Sequence, residues 1–262
     1  MFHYQIGSSM NYSYVLFTIA LSLSFPVISS TVNYIEARQE KVLANLFDQL
    51  VKRQMNSEMA IEQSVKALLT NYPEQIEAVL KIALAKYPQE YKQIMCGALR
   101  AEPALTSDVI DIVLAANVAD SMDIISIAMA EEPAYAKEIV YSAGLHDPLN
   151  IETIVRVAIA SEPAMAKNIV DNAMQSYPEK MLAILVVAIK AVPDQVSSFV
   201  RDTLKLSPDN TEVISTAINS SHSDKAREII ATAIKSGISK ESATAAAIAG
   251  GANENDIAQL EK

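Results

Sequence analysis

The sequence has 262 residues, of which 50% are hydrophobic and 20% charged, so the chain forms a folded core and is not intrinsically disordered. The formal net charge is -10, and because an acidic surface repels phosphate backbones, no nucleic-acid partner is expected. A single cysteine, Cys96, excludes an internal disulfide and a cysteine-based metal cluster.

The first 30 residues read as a secretory signal. A mainly apolar run, Val15–Ile28, lies in a stretch without acidic or basic residues and is followed by the small residues 29–31. This pattern is typical of a signal peptide that is removed on export, and the run is too short to span a bilayer comfortably. An uncleaved N-terminal anchor and a buried helix are the alternatives. We therefore expect an exported protein, periplasmic or extracellular, with no membrane span after cleavage.

Residues 31–56 predict one longer helix. This stretch has no proline, and its apolar residues fall on one side of a helix, which suits a capping element at the end of a larger array.

A fifteen-residue proline period begins after this helix. Each proline fits the first turn of a helix and forces the preceding residue out of the helical region, so each marks a helix boundary. Val118 takes the one position at which proline is missing from the series. The prolines stand at Pro73, Pro88, Pro103, Pro133, Pro148, Pro163, Pro178, Pro193 and Pro208.

An apolar pair follows each boundary at a fixed distance, as in Ile154-Val155, with a small residue four positions after its first member. This spacing predicts one apolar stripe on a helix of about 12 residues followed by a turn of about three. The pair slips at Ile214-Ser215. The small residues are Ala83, Ala98, Ala128, Ala143, Ala158, Ala173, Ala188 and Ala233, with departures at Val113, Thr203 and Ile218.

One such unit cannot be stable alone. Burial of about five apolar side chains is worth ~2 kcal/mol each, whereas ordering fifteen residues costs ~1–2 kcal/mol per residue. The units must therefore stack, and the sequence predicts an all-α fold, a right-handed α-solenoid of about 30-residue helical hairpins over residues 57–250. The recurrent alanines predict close helix packing; a ligand cavity lined by them is the alternative.

The thirty-residue period emerges at the ninth position after each boundary, where apolar and polar residues alternate, as in Val157 and Asn172. We expect the helices that are apolar there to lie between layers and their partners to be more exposed. The full series is Ile127, Ser142, Val157, Asn172, Val187, Asp202, Ala217 and Thr232, and Ile82, Gly97 and Ile112 precede it without the alternation.

The far end of the repeats predicts a short alanine-rich helix that stops at Gly250-Gly251, with residues 251–262 as a polar C-terminal cap.

Catalytic and metal-binding patterns are missing: the sequence has no H-E-x-x-H and no G-x-S-x-G. His146 and His222 fall in turns and are expected to be solvated. Cys96 is expected to be a buried small hydrophobe, with a reactive thiol as the alternative. No catalytic, cofactor or metal residue is therefore predicted. Asn219-Ser220-Ser221 is formally a glycosylation acceptor.

Two sets of residues in the turns between helices each allow two roles. Glu102, Glu132, Asp147 and Glu162 precede repeat prolines and could complement helix dipoles or, if they share one rim, bind a divalent cation. Three tyrosines either pack over neighbouring turns or contact a partner; they are Tyr72, Tyr87 and Tyr177.

The array over residues 57–250 resembles the α-solenoid class, which includes HEAT and tetratricopeptide repeats. Its period is shorter than theirs, and the tetratricopeptide pattern W-x2-L-G-x2-Y is missing, so no functional residue is carried over. The resemblance is architectural only. Because extended repeat surfaces suit the binding of proteins or peptides and catalytic motifs are missing, we expect an exported, non-enzymatic scaffold or adaptor that binds a protein or peptide partner. The alternatives are a self-assembling surface or matrix protein and a binder of a small or apolar ligand.

Overall fold

A computed structural model describes residues 38–54 and 57–253, and within them every regular element is helical. Each helix of the repeats is nine to twelve residues long. In chain order, α1 spans residues 38–53, α2 Ala60–Asn71, α3 Ile76–Lys86, α4 Tyr91–Leu99, α5 Thr106–Ala116, α6 Ser121–Glu131, α7 Ala136–His146, α8 Ile151–Ser161, α9 Ala166–Ser176, α10 Met181–Ala191, α11 Val196–Leu206, α12 Glu212–Ser220, α13 Ala226–Lys235 and α14 Lys240–Ala249.

The proline boundaries are confirmed, and their geometry is more specific than predicted. Eight of the nine repeat prolines begin a three-residue 3₁₀ turn that runs directly into the next α-helix. At the turn into α9, Glu162 leaves the helical region with φ -134° and ψ 76°, and Pro163–Met165 form the 3₁₀ turn. The Glu162 N–H donates to the Ala158 carbonyl at 3.0 Å, so the bend keeps a backbone hydrogen bond. A typical unit is thus one extended residue, three 3₁₀ residues and eleven α-helical residues.

Two boundaries within the proline series, at Val118 and Pro208, use other turn chemistry. Where Val118 replaces proline, Asn117 adopts a left-handed conformation with φ 51°, and the Asp120 carboxylate caps α6 by accepting from the Met122 N–H at 2.8 Å. After Pro208 the left-handed residue is Asp209, with φ 61°. Asparagine and aspartate tolerate this conformation better than most residues, so they can replace the proline turn.

The slip in α12 is a shift of one residue in register. The buried pair is Val213-Ile214 instead of Ile214-Ser215, and Ala217 is the buried small residue four positions after Val213. This shift explains why Ile218 departs from the small-residue pattern: the whole stripe moves by one residue in this helix.

The helices form two layers that touch only near neighbours. From α2 onward, each helix packs against the helices next to it and against those two positions away in the chain. Contacts between α5 and α7, or α9 and α11, join residues about one hairpin apart, so helices of one layer run in the same direction. The intervening helix must return the chain, and successive turns lie on opposite edges. An all-α solenoid is confirmed.

We call the layer of α3, α5, α7, α9, α11 and α13 the odd layer, and that of α2 to α14 in even numbers the even layer. The core between them holds the apolar pairs and every small residue of the stripe, Val113 and Thr203 included. Since the repeat alanines are buried there, their role is packing, and they line no open cavity. Glycine serves the same purpose at Gly97, where a Cβ would lie 2.5 Å from the Glu62 carbonyl oxygen of α2.

The interpretation of the thirty-residue alternation is wrong. The polar side chains of Ser142 and Asp202 are buried, whereas Ile127, Val157 and Val187 are half-buried. Three of the four polar residues at this position of the odd layer contact the preceding odd helix: Ser142, Asp202 and Thr232.

Three such bonds join successive odd helices at the same two positions of the unit. The Ser107 and Ser142 hydroxyls lie 2.7 Å apart, the Lys167 ammonium lies 2.8 Å from Asp202, and the Thr232 hydroxyl donates to Ser197 at 3.2 Å. At this position of the odd layer, these contacts satisfy the buried hydroxyl of Ser142 and the buried carboxylate of Asp202.

The alanine-rich helix near the C-terminus is confirmed as α14, and its stop lies where predicted: Gly251 has φ +96°, a conformation that glycine adopts without strain. The predicted signal segment 1–30, residues 31–37 of the capping helix, and residues 254–262 of the C-terminal cap lie outside the described residues.

Ala158 provides a test of the close packing. This side chain is fully buried in α8, so Ala158→Leu should overpack the core and lower the free energy of unfolding by ~1–3 kcal/mol. Ala160→Leu on the exposed face of the same helix is the matched control. Urea unfolding measures both variants, and equal stability of Ala158→Leu and wild type would contradict the packing role.

Candidate functional site

Three large apolar side chains are exposed on α7 of the odd layer and in the turn that follows it. Tyr141 and Leu145 stand one helical turn apart on α7, and Leu149 follows in the 3₁₀ turn Pro148–Asn150. Their exposed fractions are 46%, 60% and 83%. We call these three residues the apolar patch. Exposed apolar clusters of this kind cost solubility and commonly mark interaction surfaces.

The patch stands out against the equivalent positions of other units. Where α7 has Tyr141, the other odd helices from α3 to α11 carry Lys81, Asp111, Asp171 and Arg201. Where α7 has Leu145, they carry Ala85, Ala115, Gln175 and Lys205. The repeat thus keeps this face polar or small, and α7 alone among these five helices departs from that rule.

Two grooves lie on the same outer face of the odd layer as the apolar patch, at the repeat positions that Tyr141 and Leu145 occupy on α7. One, of about 670 Å³, separates the C-terminal halves of α3 and α5 and is lined largely by apolar groups such as Ile112, Ala115 and Val118. The other, also of about 670 Å³, separates α11 and α13, and its walls include Arg201 and Lys235. Equivalent positions of the repeat line both grooves, so they and the apolar patch form one strip across the odd layer.

The charges along this strip are unevenly distributed. Helix α5 presents two exposed acids, Asp108 and Asp111, and contains no basic residue. Helix α11 presents Arg201 and Lys205, which together with Lys167 of α9 surround the buried carboxylate of Asp202. Because Lys167 is also offset by Asp171, the excess comes from α11, where two cations face one carboxylate at this end of the strip.

Asp202 is held in its charged form by these neighbours. Burial by itself would raise the pKa of its carboxyl group, but hydrogen bonds from Lys167 and Lys205, at 2.8 and 2.7 Å, lower the pKa to about 2. Lys167 also pairs with Asp171, which neutralises the outer face of α9.

A second apolar surface lies at the N-terminal end, where Val42, Leu46 and Tyr72 border a groove of about 460 Å³. Arg38 at its rim continues into residues 1–37, which lie outside the described part of the chain. The exposure of these side chains is therefore no evidence of a free surface, and we assign no partner to this groove.

The two histidines lie on opposite edges of the solenoid. His146 ends α7 and precedes a turn into the even layer, whereas His222 precedes the turn into α13 of the odd layer. Both are exposed, so the structure does not bring them together. Within residues 38–54 and 57–253, no group of three or more His, Cys, Asp or Glu side chains is placed to hold a metal ion.

The turn acids also divide between the edges. Glu102, Glu132 and Glu162 each precede an odd helix, and Asp147 precedes an even one, so the arrangement of four acids on one rim is wrong. The cause is the alternation of chain direction, which sends every second turn to the opposite edge. Burial and the nearby Glu131 raise the pKa of the Glu132 carboxyl group.

Cys96 is half-buried, not fully buried as predicted. Burial, with the negative charge of Glu131, raises the pKa of its thiol to about 11, so the thiol stays protonated at neutral pH. Nearby Arg100 bridges Glu62 of α2 and Glu131 of α6 at 2.5 and 2.6 Å, a structural network across the even layer. This environment is opposite to that of a reactive cysteine.

The tyrosines of the turns have different surroundings. Tyr177 is buried and donates to the Tyr141 carbonyl at 3.1 Å, packing over Gly144, and Tyr87 meets the Phe47 ring edge-on. Packing over neighbouring elements is thus the role of these two, while Tyr72 is exposed beside the N-terminal groove. The formal glycosylation acceptor, Asn219, is exposed in the last turn of α12.

Sequence reasoning missed the apolar patch because it examined the residues that repeat, and the patch is a departure from the repeat. A position-by-position comparison of the outward residues would have found it. No known protein family, curated protein or solved structure matches this chain. Among the described residues, no helix is both long and apolar enough to cross a membrane.

The lowered pKa of Asp202 predicts that the difference in stability between wild type and Asp202→Asn depends on pH. Its pKa is about 2 in the folded chain and about 3.9 when unfolded, so its contribution is present above about pH 4 and is lost as the pH falls toward 2. Asp202→Asn should lower the free energy of unfolding by about 1–2 kcal/mol at pH 7, with the deficit shrinking toward pH 2.

Denaturant unfolding at a series of pH values measures this difference. Asp108→Asn, which changes an exposed acid outside any ion pair among the described residues, is the matched control. A deficit for Asp202→Asn that stays constant from pH 7 to pH 2 would contradict the assignment.

Proposed function

We propose that the chain is an exported, non-enzymatic helical-repeat scaffold that binds a protein or peptide partner through the odd layer. The observation that carries this proposal is the apolar patch of Tyr141, Leu145 and Leu149. The core is filled by packing, so the outer faces are the surfaces left for recognition. Repeat arrays suit this role because they present extended surfaces built from equivalent positions.

The electrostatic and chemical features support a binding role more than catalysis. The clearest lowered pKa belongs to Asp202, whose partners are structural lysines, and the thiol of Cys96 is protonated. Neither group sits beside a nucleophile or general base that would use it. A surface that combines exposed leucines and a tyrosine with charged flanks resembles the composition of a protein interface.

The patch should be necessary for partner capture. Leu145→Ser with Leu149→Ser changes two exposed side chains, so the fold should be kept while apolar contact area is lost. In affinity capture from extracytoplasmic extracts, we expect a protein retained by wild type to be lost by this double variant. Ile248→Ser, which removes an exposed apolar residue of α14, is the matched control and should keep the partner.

The same set of captured proteins for wild type and the double variant would contradict the proposal. Light scattering of the purified chain separates the self-assembling alternative, because self-association through the patch would give an oligomer that the double variant dissociates. A small molecule that co-purifies with wild type in native mass spectrometry would instead favour the apolar-ligand alternative.

Export provides an independent test. If residues 1–30 act as a signal, the mature chain recovered from outside the cytoplasm should begin near residue 31, and deletion of residues 1–30 should leave the protein inside the cell. N-terminal sequencing after cell fractionation measures this. An intact N-terminus on the exported chain would show that the leader is not removed.

A further inference from the structure

We propose that the strip on the odd layer binds an extended peptide segment in one fixed orientation: basic residues over α5, apolar residues on the patch, and acidic residues over α11 and α13. This inference rests on the proposed binding function and specifies the chemistry of the partner. Four features of the strip carry it: an acidic end, an apolar centre, a neutral spacer and a basic end.

The acidic end is formed by α5. Asp108 and Asp111 are exposed on its outer face, and the helix Thr106–Ala116 contains no Lys or Arg to offset them. Neither acid is in an ion pair within the described part of the chain. Two uncompensated carboxylates beside the apolar patch attract a basic residue of a partner and repel an acidic one.

The basic end is formed by α11 and α13. Arg201, Lys205 and Lys235 line the groove between these helices, and Asp202 is the one buried carboxylate among them. The other acid of the groove, Glu228, already accepts from Ser197 at 2.5 Å and lies 3.5 Å from Lys225. The positive charges of this groove are therefore only partly compensated, which favours acidic residues of a partner.

The helices between these ends set the order of the contacts. Helix α7 presents the apolar patch next to α5, and on α9 the pair of Lys167 with Asp171 leaves no net charge. From α5 to α13 the strip therefore runs acidic, apolar, neutral and basic. An unsymmetrical order of this kind selects one orientation of a ligand, because the reverse orientation would bring like charges together.

The spacing of the helices predicts the spacing of the partner's residues. Packed helix axes are about 8–10 Å apart, and an extended chain advances about 3.3 Å per residue. Neighbouring helices of the odd layer, such as α5 and α7, are therefore separated by about three residues of an extended partner segment. The distance from α7 to α11 is twice as long and corresponds to about six residues. The partner segment should therefore carry a basic residue about three positions from an apolar one, and an acidic residue about six positions beyond it.

A pair of synthetic peptides tests this arrangement. The matched peptide has about 13 residues: two lysines at one end, two leucines about three positions further on, two glutamates at the other end, and serine and glycine elsewhere. The exchanged peptide keeps the leucines and swaps the lysines with the glutamates, so the composition is identical. Both are labelled with a fluorophore, made in both chain directions, and titrated with the full chain by fluorescence anisotropy.

We expect the matched peptide, in one chain direction, to bind about tenfold or more tightly than the exchanged peptide at low salt. The difference should shrink as salt screens the exposed charges. Asp108→Lys with Asp111→Lys should weaken binding of the matched peptide by about tenfold, and thermal melts check that this variant stays folded. Leu145→Ser with Leu149→Ser should weaken binding of both peptides.

Two results would overturn the inference, and they differ in what they leave standing. Equal affinity for both peptides, or no effect of the Asp108→Lys and Asp111→Lys substitutions, while the leucine double variant loses binding, would leave the patch as a binding site and remove the charge-ordered orientation. No binding of any of the peptides to wild type would remove the orientation and also count against the peptide-binding function.

Discussion

The structure depends on the inability of a fifteen-residue unit to bury its own apolar face. An isolated helix of eleven residues is only marginally stable in water, because its few hydrogen bonds must offset the free-energy cost of forming the first turn. Each helix from α2 onward is stabilised by the helices beside it and by those two positions along the chain. The small residue of each stripe, as at Ala158, is buried at these contacts, where a larger side chain would separate the helices.

This constraint divides the residues into two groups with different freedom. The inward stripe is fixed by packing and repeats closely, whereas the outward positions of the odd layer can vary without disturbing the core. Recognition residues are therefore expected among outward positions that depart from the repeat. The apolar patch is such a departure: Tyr141 and Leu145 take positions that other odd helices fill with charged, polar or small side chains.

Polar contacts between repeats have a separate role. In the odd layer, the bonds of Ser142, Asp202 and Thr232 to the preceding odd helix fix the offset between neighbours. In the even layer, Arg100 joins three successive helices through Glu62 and Glu131. Because a half-satisfied buried polar group is costly, such contacts favour one register of stacking over its alternatives. Arg201 and Lys205, which lie beside Asp202, also give the outer face of α11 its positive excess.

The sequence by itself determined the helix boundaries, the fifteen-residue unit, the apolar stripe and the stacked architecture, because proline and hydrophobic spacing act locally along the chain. Only the tertiary structure decided what depends on contacts between units. It showed that Ser142 and Asp202 are buried, that Asp147 lies on the edge opposite Glu102, and that Tyr141, Leu145 and Leu149 are all exposed on α7 and the turn after it. Periodicity records which face of a helix is apolar, but the partners of a polar side chain and the neighbours across a layer are set by how the hairpins stack.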